Sequence, residues 1–282
     1  MVRRPPTISG TGRPPRRTRV ARKPILIALV STIVFFGGLS WIIVNAPGWT
    51  LVQASFFNAD VFRAALPGIV AAFGINIQLF LIAEVLILVL GLIVAVLRSL
   101  PGPVFFPVRI LATIYTDVFR ALPGILIIFI LGFGVPGLRL PGVPKDPFFW
   151  AVVALTLVYS AYVSEVYRAG IESIHPSQAA AARSLGLSQL QALRFVILPQ
   201  AVRRVIPPLL NDFIGLQKDT VLVSFVGVVE IFRTAEIKES AIFNFTPYLG
   251  AALVFLVLTI PLARLTDWLV ARDRSRGARS NA

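Results

Sequence analysis

Long apolar stretches separated by short polar or basic ones run through most of this chain. Residues 25–44 form the first, flanked by Lys23 and Trp41. Residues 45–65 turn polar and aromatic, and residues 66–97 are apolar again up to Arg98. A third stretch, 104–135, is too long for one straight span and is interrupted by Arg120 and Pro123, so a kink or break is expected there. Residues 148–167 make a fourth stretch. Residues 202–216 begin a fifth, with a break expected at Pro207-Pro208, and 245–270 make the last. Between them, residues 218–244 mix short apolar runs with charges, a pattern that enters a membrane without crossing it. A helix crosses hydrocarbon with about 20 apolar residues. The pattern therefore predicts an all-α integral membrane protein of about six transmembrane helices.

Composition points the same way. Hydrophobic residues make up 56% and charged residues 14% of the 282 positions, against about 45–50% and 25% in soluble domains. The net charge is +14, which in a soluble protein would suggest nucleic acid. Here it is concentrated at the ends. Arg3, Arg4, Arg13, Arg16, Arg17, Arg19, Arg22 and Lys23 precede the first span without an acid, and Arg272, Arg274, Arg276 and Arg279 follow the last. Arg168, Arg183, Arg194, Arg203 and Arg204 surround the loop after the fourth stretch. Basic residues mark the cytoplasmic side. Both termini and that loop are expected in the cytoplasm, and membrane topology accounts for the charge without a nucleic acid. Pro5, Pro6, Pro14 and Pro15 predict a disordered tail over residues 1–24. The first span shows no clear small-x-small cleavage site after it and reads as a retained helix.

Residues 178–199, QAAAARSLGLSQLQALRFVILP, are too polar to cross a bilayer. Gln178 to Leu185 favours helix, and Gly186 offers a left-handed residue to end it. Ser188 and Gln191 have capping-box spacing for a second short helix, and Pro199 marks a kink or a new segment. Small Ala181 and Ala182 permit close approach, and Leu185, Leu187 and Leu190 supply apolar grip. Such an elbow is a docking surface.

That stretch resembles the cytoplasmic loop of bacterial ABC-importer permeases, E-A-A, three residues, G, nine residues, I-x-L-P. Ala181 and Ala182 match the alanines, Gly186 the glycine, and Leu198-Pro199 the ending. Ala180 stands in place of the glutamate and Val196 in place of the isoleucine. The flanking SAYVSEVYRAGIESI and LPQAVRRVIPPLLNDFIGLQKDTVLVSFVGVVEI, with YTDVFRALPGILIIFILGFGVP upstream, look like the polar amino-acid subfamily. The resemblance covers residues 69–270 and implies a five-helix permease core at 66–271, with the elbow at 174–199. The helix and outer loop of 25–65 are then extra, and 272–282 form a basic cytoplasmic tail. It also implies a bacterial inner-membrane protein that dimerises with a second permease subunit, identical or homologous. ABC ATPase subunits would dock on Ser177, Gln178, Ala181, Ala182, Leu185, Gly186, Leu187 and Leu190. An extracytoplasmic solute-binding protein would deliver an amino acid.

The chain has no cysteine and one histidine, His175, so disulfides, thiolate metal sites and multi-histidine metal sites are excluded. His175-Pro176-Ser177 reads as a turn into the elbow. No G-x-x-x-x-G-K-[ST] occurs, so ATP and Mg belong on a partner subunit and no cofactor is expected on this chain. G-x-S-x-G and H-E-x-x-H are absent too. An ion-driven secondary transporter or channel is the rival class. It would need an intramembrane relay and an internal repeat, whereas only Glu84 suggests the first and no repeat is evident.

Polar residues within apolar stretches are the candidate substrate path, because an intramembrane charge costs about 2.5–3.5 kcal/mol and faces protein or water. Glu84 is either a buried carboxyl paired with a neighbouring arginine or a contact for a substrate ammonium group, with Asn76 and Gln78 about two turns before it. Asp117 and Arg120 have the spacing to pair on one helix face, as do Glu165 and Arg168, an expected exposed pair. Asn211, Asp212, Gln217, Lys218 and Asp219 follow the double proline and surround Gly215. Asp212 and Asn211 suit an ammonium group, and Lys218 or free backbone N–H groups a carboxylate. The same residues would serve equally to end the span.

Overall fold

The computed structural model describes residues 22–280. Among these the secondary structure is helical throughout, and the chain divides into two compact units, residues 1–53 and 54–282. In the first unit α1 (Arg22–Val44) forms a helix where the first apolar stretch lies, apolar on every side. The expected disorder of the basic tail falls, up to residue 21, outside the described residues.

The second unit carries the functional architecture. After the short α2 (Trp49–Phe56), α3 (Ala59–Ser99) runs for 41 residues, about 60 Å at 1.5 Å per residue. Asn58 caps it by accepting from the backbone N–H groups of Asp60 and Val61. Leu79, Ala83, Ile87, Gly91 and Val94 form its inward stripe, while Leu81, Val85, Val89, Leu92 and Val96 are exposed. A helix apolar on both faces suits a bundle embedded in lipid.

α4 (Phe106–Ala121) and α5 (Gly124–Phe129) are separated at Leu122-Pro123, where the chain bends by 106°. This is the break expected there. α5 passes through a π-helical turn, Ile130–Gly134, into α6 (Val135–Gly137). α7 (Pro147–Glu172) is the central helix, packed on α3, α4, α5 and α10 (Leu198–Asp219). Small residues allow this. Ala83, Ala154 and Ala161 are fully buried. A Cβ at Gly91 would stand 2.7 Å from Val163, and one at Gly170 2.1 Å from Val205. In lipid, close packing of this kind replaces the hydrophobic drive between helices.

α8 (Pro176–Ser184) and α9 (Gln189–Ala192) form the elbow, and a π-helical turn over Leu193–Ile197 leads into α10. α10 runs unbroken through Pro207 and Pro208, contrary to the expected break. Proline deletes hydrogen bonds to the preceding turn, but packing on α7 and α12 (Thr246–Ser280) holds the helix together. A 3-10 turn, Thr220–Val226, and α11 (Ile231–Ile242) occupy the mixed region before α12. The basic residues after 271 extend α12 instead of leaving it.

Among the described residues, four helices are long and apolar enough to cross a membrane, or five if the bent α4–α5 pair is one span. α10 falls short by composition, because Arg203, Arg204, Asp212, Lys218 and Asp219 lie along it.

Candidate functional site

The elbow is built by local rules. At the end of α8 Gly186 takes φ 85°. The N–H of Leu187 reaches the carbonyl of Ala182 (3.2 Å), and that of Gly186 the carbonyl of Arg183 (3.0 Å). Together these form the Schellman arrangement that satisfies the last carbonyls of a helix. Ser188 then starts α9 with both halves of a capping box: Gln191 N–H donates to Ser188 Oγ, and Ser188 N–H donates to Gln191 Oε1. His175 caps α8, its Nδ1 accepting from the N–H of Ser177. Leu185 is 85% exposed and Leu190 73%, whereas Ala182 is turned inward. Ser177, Gln178 and Ala181 are exposed, Gly186 too, and Leu187 is partly covered. The exposed apolar surface of the elbow is thus two leucines flanking the turn, with Ala182 buried beneath.

The polar residues of α10 separate onto different sides. Asn211, Asp212, Gly215 and Asp219 line a cavity of about 280 Å³ with Tyr159 and Tyr162 of α7, Gly124, Val158 and Leu222. The Tyr159 hydroxyl donates to Asp219 at 2.7 Å. Gly215 makes room for it, since a Cβ there would lie 3.3 Å from that oxygen. Asp212 has a buried carboxylate oxygen with no hydrogen-bond partner. Glu84, partly buried on α3, is close enough to feel the charge of Asp212. Among the described residues no arginine pairs with Glu84, so the pairing considered for it is not formed there. Three carboxyl groups therefore gather in and beside one recess.

Lys218 is absent from this cavity. It lies in a separate groove with Val221, Ala252, Phe255, Leu256 and Thr259. Gln217 is buried against the same helix, accepting from the Thr259 hydroxyl at 3.0 Å while its Nε2 has no partner. The cluster 211–219 is thus two surfaces, split by the 100° step between helix neighbours.

Asn76 is structural. It is buried, donates to Thr220 (3.0 Å) and Glu230 (2.9 Å), and accepts from the N–H of Ile231 (3.1 Å). Glu230, fully buried, also caps α11 by accepting from Phe232 and Arg233. At the far end of α7, Glu165 is enclosed. It receives Arg98 from α3 and Arg168 from its own helix, with Arg120 at 3.6 Å. The expected exposed Glu165–Arg168 pair is instead a junction of three helices, and Arg120 turns to it and not to Asp117. Sequence reasoning missed Tyr159, Tyr162 and Glu230 as polar elements of the interior. Tyr159 and Tyr162, three apart on one face of an apolar helix, were the available signal.

Residues 88–275 match the family of binding-protein-dependent transport system inner membrane components. The chain belongs to that family. It is 41% identical over 187 residues to the probable glutamine ABC transporter permease protein GlnM of Bacillus subtilis (strain 168), covering 65% of this chain and 83% of that protein. It is 33% identical over 198 residues to the arginine transport system permease protein ArtQ of the same organism, covering 70% and 88%. A chain in the crystal structure of an amino acid ABC transporter with histidines superposes with a TM-score of 0.67 at 30% identity, over 73% of this chain and 94% of that one. Family membership makes this chain a multi-pass membrane permease and favours the importer reading over the ion-driven rival.

Proposed function

We propose that this chain is the permease subunit of an ATP-driven importer that carries polar amino acids across the cytoplasmic membrane, with both termini inside. The observation that carries the substrate reading is the recess at Asp212. A buried carboxylate oxygen without a partner costs about 1–3 kcal/mol or more, and an ammonium group in the recess would offset the charge of the Asp212 carboxylate that borders it. Asp212 and Asp219 supply acceptors, Tyr159 and Tyr162 supply walls, and Asn211 lies at the exposed edge. Relatives named for glutamine, arginine and glutamate transport support the substrate class. Gln217 serves the α10–α12 contact here, and Lys218 and Glu84 border the path without lining the cavity.

The energy comes from ATP and Mg on separate ATPase subunits, which grip Leu185 and Leu190 on either side of the Gly186 turn. The elbow continues through the π-helical turn into α10, which bears Asp212. Movement of the docked elbow is thereby transmitted along one continuous helix to the cavity. A second permease subunit completes the membrane pore, and an external solute-binding protein delivers the substrate.

The test is uptake of labelled L-glutamine, L-arginine and L-glutamate into cells expressing the full transporter, wild type beside Asp212→Asn. Loss of uptake with normal membrane levels and normal ATPase retention supports the reading. Unchanged uptake of every amino acid carried by wild type moves the site elsewhere.

A further inference from the structure

The cavity has an unbalanced chemistry. Its lining includes two carboxylates and no cation. An amino acid brings a carboxylate as well as an ammonium group, and burying that carboxylate beside Asp212 and Asp219 without a counter-charge would be repulsive. Lys218 faces the other groove. A different cation stands at the cavity's border.

Arg120 is the penultimate residue of α4, immediately before the 106° bend, and Gly124 just beyond that bend lines the cavity. Its guanidinium carbon lies 5.8 Å from the ring centre of Tyr162, a lining residue. The Tyr162 hydroxyl donates to the Arg120 carbonyl at 3.4 Å, fixing tyrosine and helix end together. Arg120's own ion pair is loose. It is 3.6 Å from a Glu165 oxygen that Arg98 already holds much more closely, while Arg168 holds the other oxygen at 2.6 Å. The Arg120 side chain is 42% exposed. Glu165 therefore stays doubly paired if Arg120 leaves, whereas a guanidinium gains most from a carboxylate it can grip with two parallel N–H groups.

We propose that Arg120 is the residue that receives the substrate's α-carboxylate, leaving Glu165 to do so while staying stacked on Tyr162. This rests on the reading of the Asp212 cavity as the substrate site. It makes the site bipolar: ammonium toward Asp212 and Asp219, carboxylate toward Arg120. The class of ligand is then a free α-amino acid, and an amine or carboxamide lacking that carboxylate is discriminated against.

The test uses the assembled complex with its ATPase subunits in detergent. Binding of L-glutamine and of L-arginine is compared with binding of the corresponding α-carboxamides, in wild type, Arg120→Gln, Arg120→Lys and Asp212→Asn. Wild type is expected to prefer at least one free acid over its amide by about tenfold or more. Arg120→Gln abolishes that preference by weakening the acid alone, Arg120→Lys restores part of it, and Asp212→Asn weakens acid and amide together. Equal loss of acid and amide in Arg120→Gln, or no loss of either, overturns the role of Arg120 while leaving the cavity in place. Unchanged binding of both forms in Asp212→Asn, or no binding of either probe by wild type, overturns the cavity reading and this proposal with it.

Discussion

Glu230 and Asp212 are both carboxylates within the helix bundle, and their surroundings differ in one respect. Glu230 has every approach filled: the Asn76 amide, two backbone N–H groups of α11, and a position where it is fully buried. Asp212 lines a recess with open volume and keeps one buried oxygen unpaired. Buried polar groups in folded proteins are almost always satisfied, so Glu230 reads as architecture, whereas Asp212, unsatisfied and bordering open volume, reads as a place held for something else. Glu230 and Asn76 together join α3, the 3-10 turn and α11. Asp212 stands on the helix that continues from the elbow, where motion would change its surroundings.

The largest expected effect breaks the architectural side. Glu230→Ala leaves the Asn76 amide and the first N–H groups of α11 without an acceptor, and is expected to destabilise the bundle by on the order of 3 kcal/mol. Thermal unfolding of the purified protein in detergent, with the amount recovered from membranes, measures it. Asp212→Asn is expected to do the opposite kind of damage. Unfolding stays within about 1 kcal/mol of wild type, while substrate affinity falls by about 1.5–3 kcal/mol, read by ligand binding to the assembled complex. If both variants lose stability alike, the distinction between the two carboxylates fails.

A smaller effect tests the elbow, the third polar region. Gly186→Val places a β-branched residue at φ 85° and is expected to cost about 1–2 kcal/mol locally. The protein reaches the membrane, but retains its ATPase partners poorly and fails to stimulate their turnover, as co-purification and ATP hydrolysis would report. Normal values for both remove the elbow from the coupling path. The smallest effect is expected for Lys218→Gln. Its groove is separate from the cavity, so substrate binding is expected to change by less than about twofold. A larger loss joins the two surfaces of α10 again.

The elbow was legible in the sequence because its determinants are local. Ser188 and Gln191 are three residues apart, and the left-handed turn needs only Gly186. The break near Pro123 was legible for the same reason. The cavity was only half legible. Asp212 and Asp219 are seven apart, and the unbroken helix keeps them on one face. Tyr159, however, meets Asp219 across 60 positions of chain, and Asn76 meets Glu230 across 154. No local periodicity encodes those meetings. Spacing also misled where tertiary contacts compete. Glu165 and Arg168 have the pattern of a surface pair, but Arg98, at the end of another helix, encloses them. Pro207-Pro208 has the pattern of a break, but the helix that carries them packs on α7 and α12 and stays whole.

The central claim is that the unfilled carboxylate of Asp212 is where the transported amino acid is held. The most direct measurement is uptake by proteoliposomes containing the complete transporter, Asp212→Asn beside wild type, at saturating external binding protein. The amino acid used is one of L-glutamine, L-arginine or L-glutamate that wild type carries. A fall in rate of about tenfold or more, with unfolding temperature and bound ATPase unchanged, is the expected result. Uptake at the wild-type rate would contradict the claim.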